Sequence, residues 1–485
     1  MSAKKIPSAD AFLERAAKLC KERNVLIPTF DQLRDPSTAP EPIRRRLEKV
    51  SISELDPANL FRITWKNDVK SGLFGEVNFL ELPESLTGVP ARIIGMVGKH
   101  FPTGAHKVGA AFGCLVPRLV GGEFDPTRQK AVWPSTGNYC RGGAFDSALL
   151  GCAAVAILPE GMSRERFEWL KSIGAEVIAT PGTESNVKEI YDKCREIRNT
   201  RPDCVIFNQF EEFGNPAWHY HCTGSAVEEV FHKAGGKGAR LAAYVSSTGS
   251  AGTIGAGDYL LKKFPAVRLA AAEALQCPTL LRNGFGEHRI EGIGDKHIPW
   301  VHNVRNTDMV AAVDDEDCMR LLRLFNEPEG RKRLASEGVP AGTIDRLSLM
   351  GISSLGNMLA SVKLAKYYEL GPKDVVFTIF TDSVEMYRSR LAELEKERER
   401  YAPLDAAVDL ERRLRGAGTD NLKELGYHDR KALHNLKYFT WVEQQGKSSE
   451  ELRALWDPEF WDRTYAQIEG WNRQIAAFNR KTGLG

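Results

Sequence analysis

The stretch RLAAYVSSTGSAGTIGAGDYLLKKF (240–264) divides into three parts. RLAAYVS is an apolar run of strand length, a turn of Ser, Thr and Gly follows, and the chain then resumes with helical spacing. A strand that passes through a glycine-bearing turn into a helix is the unit from which parallel α/β sheets are built. The turn contributes a second property. Gly249, Ser250, Gly252 and Thr253 set free N–H groups and hydroxyls at a helix start, where an anion is readily held.

The same unit recurs along the chain. ARIIGMV (91–97), KAVWPS (130–135), CAAVAIL (152–158), AEVIAT (175–180), VRLAAAE (267–273) and DVVFTIF (374–380) read as buried strands, with helical patterns between most of them. SRERFEWLKSIG (163–174) shows the punctuation: Ser163 is placed as an N-cap and Gly174 as a stop. A second anion turn follows KAVW. In PSTGNYCRGGAF (134–145), Ser135, Thr136, Gly137 and Asn138 lead straight into a helix. At 485 residues the chain holds more than one core. The expected division is an N-terminal extension (1–70), a smaller α/β domain (71–210) whose first strand could pair with the other domain, a larger α/β domain (211–390), and a helical extension (391–485) carrying Trp441, Trp456, Trp461 and Trp471.

Charge and cysteine usage narrow the class. With 66 basic and 64 acidic residues, the net charge of +2 supplies no field for nucleic acid or anionic lipid. Nine cysteines without a C-x-x-C pair argue against a disulfide framework or a structural zinc site. The first residues, MSAKKIPSADAFLERAAKLC, lack an apolar signal core, and no run is long enough to span a bilayer. A cytoplasmic protein acting on small molecules is expected.

A third stretch, KHFPTGAHKVGAAFGC (99–114), sets Lys107 among small residues where a helix is about to begin. A solvated surface lysine is one reading. A lysine approached closely by a cofactor is the other, and two anion turns suit a ligand with two anionic ends. Glu273 lies where a dinucleotide site needs a ribose-binding acid, but Gly249-x-x-Gly252-x-x-Gly255 lacks the close-spaced glycines that a pyrophosphate requires. No Gly-Lys-Ser/Thr follows either, which excludes a mononucleotide P-loop. A phosphorylated cofactor beside a lysine remains, and pyridoxal phosphate has that chemistry.

PTGAHK resembles the Schiff-base lysine motif of fold-type II pyridoxal-phosphate enzymes, and is close to the TGAHK of the tryptophan synthase β chain. STGNY is similar to the TSGNT loop of cysteine synthases, NQF…NPAWHYHCTGSAVEEV to their QF…NP…H…TTGPEIWE, and GSAGT to GTGGT. RIEGIGDKHIP and GISSLGN resemble KIQGIGAGFIP and GISSGAN. These six motifs, in the family's order over about residues 75–390, resemble the cysteine synthase and cystathionine β-synthase branch most.

The resemblance implies two parallel-sheet α/β domains of the tryptophan synthase β-like superfamily, with Lys107 as the catalytic residue that holds the cofactor. His106 and Asn138 would contact the cofactor, Gly249, Ser250, Gly252 and Thr253 its phosphate, and Ser353 its ring nitrogen. Ser135, Thr136, Gly137, Tyr139 and Gln209 would bind substrate. No metal is implied. The implied activity is β-elimination or β-replacement on cysteine, serine or an O-activated serine through an external aldimine and an aminoacrylate, in a homodimer. A cofactor-binding regulatory or partner subunit without efficient turnover is the alternative. Some positions depart from the pattern: Tyr139 and Cys140 replace Thr-Gly, Arg141 adds a cation, Val108 replaces an aspartate, and Leu355 replaces a glycine. His219 and His221 are read as structural, and Cys140 as a small core residue.

Overall fold

The computed structural model describes residues 9–294 and 296–485. The opening residues 1–8 and Asp295, within the RIEGIGDKHIP motif, lie outside the described residues. Among the described residues, eleven strands form two sheets: β1 (Phe79–Leu82), β2 (Arg92–Val97), β3 (Lys130–Pro134), β4 (Ala154–Pro159), β5 (Glu176–Thr180), β6 (Cys204–Ile206), β7 (Arg240–Ser247), β8 (Arg268–Ala274), β9 (Met309–Val313), β10 (Asp374–Phe380) and β11 (Leu422–Glu424). The smaller sheet, in the order β5-β4-β3-β6, is parallel throughout. The larger has the order β1-β2-β10-β7-β8-β9-β11. Its inner pairs are parallel and its two edge strands antiparallel.

Each apolar run read from the sequence is a strand. Four strands escaped that reading. β1 has a glutamate among its four residues, β6 is three residues long, and β11 is a short edge strand inside the otherwise helical C-terminal extension. β9, MVAAV, is a fully buried apolar run that sequence reasoning passed over. β7, β8 and β10 are buried along almost their whole length because helices cover both faces of the sheet. One covering helix, Ile352–Tyr367, is itself buried from Ile352 to Ala365, which explains why its sequence carries no charge before Lys363 and only small polar residues such as Ser353, Asn357 and Ser361. Ser163 does begin the helix Arg164–Ser172, although its side chain makes no capping bond.

The terminal extensions pack on the core and on each other. The long helix Pro458–Thr482 starts with an Asp457 cap and a first-turn proline, and ends at Gly483 in the left-handed conformation. Trp461, Tyr465, Ile468, Ile475 and Phe478 on this helix are buried in the same core as β3 and the helix Lys107–Val120. Asn479 accepts from Ile27 N at 3.2 Å and donates to Ile27 O at 2.7 Å, and Asn472 accepts from Phe30 N at 2.7 Å. Trp441 Nε1 donates to Ile298 O at 2.8 Å, and the buried Lys437 donates to the carbonyls of Trp300 and His302. Among the described residues, no helix is long and apolar enough to cross a membrane.

Candidate active site

Loops that leave the carboxyl ends of β2, β3, β7 and β10 supply the site, the usual position for ligands of an open α/β sheet. Lys107 opens the helix Lys107–Val120, after the turn that follows β2. Its Nζ donates to Ser250 Oγ at 3.2 Å, joining the lysine to the loop after β7. The same hydroxyl accepts from Asn215 Nδ2 at 3.0 Å and from Gly252 N at 3.4 Å. A Cβ at Gly252 would lie 1.9 Å from Asn215 Oδ1, so glycine is obligatory there. The neighbouring Ala251 adopts φ +59°, a costly conformation for a residue with a Cβ and one typical of ligand loops.

Burial lowers the Lys107 ammonium from its ordinary value to about 8, because no carboxylate lies beside it to repay the lost hydration. A sizeable share of neutral amine is therefore present near neutrality. The rate at which apoprotein captures pyridoxal phosphate, followed by visible absorption, is expected to rise with pH and level off above about 8. A rate already flat from pH 6 upwards would contradict the assigned environment.

The turn after β3 is built around a buried arginine. Gly137 has φ +145°, and a Cβ there would lie 2.2 Å from Arg166 Nη1. Arg166 donates to Thr136 O at 2.6 Å and to the Tyr387 hydroxyl at 2.8 Å, and its Nε lies 3.3 Å from Glu291 Oε2. Burial opposes its charge, but Tyr387, Glu291, Glu184 and Asp382 around it hold the guanidinium protonated. Ser135 Oγ accepts from Gly137 N at 3.0 Å and fixes the turn. Asn138 starts the helix Asn138–Leu150 and donates to Asp382 Oδ2 at 2.7 Å, an oxygen that also accepts from the Tyr387 hydroxyl at 2.7 Å.

Ser353 stands near the start of the helix Ile352–Tyr367, and its hydroxyl is buried without a partner. The point where a Cβ on Gly292 would sit is 3.6 Å from Ser353 Oγ and 4.0 Å from Asn138 Nδ2, so the two polar groups face one small space. An orphaned buried hydroxyl in such a place is explained by a polar ligand atom. His106 Nε2 pairs with Thr381 Oγ1 at 3.2 Å, its ring stacks on Trp65, and burial keeps it neutral by pushing its pKa well below 6.5. Gln209 joins through its main-chain carbonyl, which accepts from Asn215 Nδ2 at 2.9 Å. Thr253 O accepts from the Tyr244 hydroxyl, while Gly249 lies against the carbonyl of Gly292. These residues therefore present an amine, a glycine-lined anion cradle one hydroxyl away from it, and an unpartnered hydroxyl near a side-chain amide. That donor set fits pyridoxal phosphate.

Other residues turn away from this cluster. Tyr139 faces the core, where its hydroxyl donates to Phe207 O at 3.1 Å and its ring meets Trp133 edge-on. Cys140 donates to Gly137 O, and burial pushes its thiol up to about 12, which leaves no reactive thiolate. Glu273 accepts from the amides of Leu280 and Leu281 and is not available to a ribose. His221 bonds Asp31, whereas His219 stays against the cluster, its ring meeting that of His106 edge-on at 5.0 Å while Nδ1 bonds Thr223.

Sequence reasoning missed Asp382, Asn215, Arg166 and Tyr387. Asp382 had a usable signal, an acid two residues beyond the carboxyl end of a buried strand. Asn215 lay inside a quoted motif without a role.

The family model of pyridoxal-phosphate dependent enzymes matches residues 96–338, half of the chain. A probable cysteine synthase of Bacillus subtilis is 30% identical over 293 residues, which cover 59% of this chain and 85% of that protein. Cystathionine beta-synthase of Saccharomyces cerevisiae is 26% identical over 322 residues, covering 64% of this chain and 60% of the relative. The crystal structure of an O-acetylserine dependent cystathionine beta-synthase from Helicobacter pylori superposes with a TM-score of 0.55 at 25% identity, covering 65% of this chain and 95% of that one. Motif order, site geometry and these matches agree: the chain is an enzyme that belongs to the pyridoxal-phosphate dependent family, and pyridoxal phosphate is its cofactor.

Proposed function

We propose that the protein catalyses β-elimination or β-replacement on a small L-amino acid, namely cysteine, serine or an O-activated serine. The observation that carries the reading is Ser353: the polar group waiting beside Asn138 is a hydroxyl rather than a carboxylate. When bound, pyridoxal phosphate supplies the electron sink for chemistry at Cα and Cβ. A hydroxyl facing its ring nitrogen does not stabilise a protonated ring as an acid does, which favours prompt loss of a β-substituent over transamination. Relatives named as cysteine synthase and cystathionine beta-synthase support the same class.

The chain's own residues then divide the work. The N–H of Thr136 and the first N–H groups of the helix Asn138–Leu150 hold the substrate carboxylate. Ser135 and Gly137, whose own N–H groups bond Ile157 O and Ser135 Oγ, shape the turn that Arg166 backs from beneath. The amine of Lys107, held by Ser250 Oγ and softened by burial, takes the Cα proton as general base. Gly249, Ser250, Gly252 and Thr253 take the phosphate, and Asn138, oriented by Asp382, bonds the ring oxygen.

Absorption spectra of the holoprotein, recorded with cysteine, serine and O-acetylserine added singly, test the proposal. A new band together with released pyruvate, or with a substituted product when sulfide is present, is expected. Spectra unchanged across a broad amino-acid panel would instead identify a cofactor-binding subunit. Ser353→Asp is expected to slow β-elimination relative to transamination by roughly tenfold or more. An unchanged ratio removes Ser353 from the ring nitrogen. We further propose a reducing, cytoplasmic setting, supported by nine free cysteines, and a homodimer that light scattering of the intact protein would detect.

A further inference from the structure

A cleft of 680 Å³ opens beside the site. The N-terminal extension lines it on one side. Across from it lie Thr103 and Gly104, just before Lys107, together with Trp169 and the segment that follows Asp382. Arg141 reaches this cleft from the helix that Asn138 begins, yet it is only 3% exposed. Its Nη2 donates to Thr103 O at 2.7 Å, Nη1 approaches Asn138 Oδ1 at 3.4 Å, and its guanidinium carbon lies 4.6 Å from the centre of the Trp169 ring. Nε has no partner.

Among the described residues, no carboxylate forms an ion pair with Arg141. Asp382, which acts on it from a distance, is already bonded by Asn138 and Tyr387. Of the four acids that line the cleft, Glu385 is committed to Lys99, Glu165 to the amide and hydroxyl of Ser389 and Asp68 to the amide and hydroxyl of Ser71. The fourth, Glu48, is exposed to solvent and makes no ion pair with Arg141. Arg62, equally buried on the same cleft and likewise without a partner for Nε, makes four bonds to three backbone carbonyls and Asn59, whereas Arg141 makes only two. A buried guanidinium with an idle N–H and no counter-ion is expensive unless something else supplies the charge. Burial lowers Arg141 to about 10, so it stays charged at neutral pH.

We propose that Arg141 forms the base of an anion subsite, and that a reactant using this cleft carries a carboxylate or phosphate in addition to the α-carboxylate held at the Ser135–Gly137 turn. The proposal rests on the reading of the site as one for chemistry at Cβ. Two sources share the required chemistry: a phosphate ester as the β-substituent of the amino acid, or a carboxylate on the incoming second reactant. Arg141 lies one hydrogen bond from Asn138 and is well placed for either.

The test uses the full-length holoprotein and its Arg141→Met and Arg141→Lys variants, each confirmed to retain the cofactor's visible absorption. One kinetic arm compares O-phosphoserine with O-acetylserine, sulfide being common to both. The other compares mercaptoacetate with 2-mercaptoethanol at a fixed amino acid. In one arm, the ratio of kcat/KM for the anionic over the neutral reactant is expected to fall by about tenfold to a hundredfold in Arg141→Met, with Arg141→Lys in between. The arm that responds identifies the source of the anion. Calorimetric titration with inorganic phosphate and with succinate supplies a readout independent of turnover, and tighter binding by the wild type than by Arg141→Met, by about tenfold, is expected. Should no amino acid be turned over, the Cβ reading fails while this titration still decides the subsite. A uniform loss in both arms, with ratios and titrations unmoved, would make Arg141 a brace for Thr103 and overturn the proposal. If Arg141→Met does not fold, Arg141→Lys and the wild-type titration decide, and a wild type that binds neither anion also overturns it.

Discussion

Lys107→Ala is expected to abolish turnover, by about 10⁴-fold or more, while leaving the fold standing. The residue's one hydrogen bond is to Ser250 Oγ, which keeps Asn215 and Gly252 as partners after the change. Stability should move the other way. The folded-state pKa of about 8 lies below the unfolded value near 10.5, so burying the lysine penalises the folded state fully below about pH 8, and the penalty fades as pH rises towards 10.5. The apo variant should therefore be at least as heat-stable as wild-type apoprotein at pH 7, with the gap narrowing above pH 8. Calorimetric melting at several pH values and a turnover assay check both statements. A variant with near wild-type turnover would refute the central assignment.

Deleting residues 458–485 should be more drastic for the fold. The deletion removes five large buried side chains, Trp461, Tyr465, Ile468, Ile475 and Phe478. At roughly 1.5–3 kcal/mol each, their burial contributes about 10 kcal/mol, as much as the whole stability of a typical domain. Polar anchors are lost as well. Tyr465 donates to Asp258 Oδ2 at 2.6 Å, and Asp258 lies on the helix Gly255–Lys263, which continues from the glycine-bearing loop after β7. The truncated chain is expected to be insoluble, or to lose near-ultraviolet circular dichroism and cofactor capture. A cooperative melt within a few degrees of the intact protein would show the helix to be dispensable. Tyr465→Phe isolates the polar contribution, and a loss of about 1 kcal/mol is expected, because Asp258 keeps Asn303 and Asn306 as partners.

What the sequence disclosed and what it withheld follow from how the site is built. Lys107, the glycine loop after β7 and the turn after β3 each lie in a few consecutive residues, where strand, turn and helix signals coincide. Seven of the described strands were legible as unbroken apolar runs, whereas β1, β6 and β11 are too short to form such a run and β9 was passed over. Asp382 was not legible as the partner of Asn138, since 244 residues separate the two and only the packing of both sheets brings them together. Arg166 sits in a segment whose pattern is that of a charged surface helix, yet it is fully buried beneath Gly137. Tyr139 illustrates the converse. Its place in a substrate-loop motif suggested contact with substrate, but a helix turns successive side chains about 100° apart, and this one falls on the core side.

The pairing of Asn479 with Ile27 joins residues 452 positions apart, and so has a consequence for how the protein is made. Contacts of such separation cannot form until nearly all of the chain has left the ribosome. During synthesis, the segment around Phe30 and the helix Ala9–Glu22 must wait with their apolar faces uncovered while the strands behind them assemble. The pairing of Ile27 with Asn479 therefore forms late, after the strands that lie between them in sequence have been made, and until then Phe30 has Phe112 but not Trp471 as a ring neighbour.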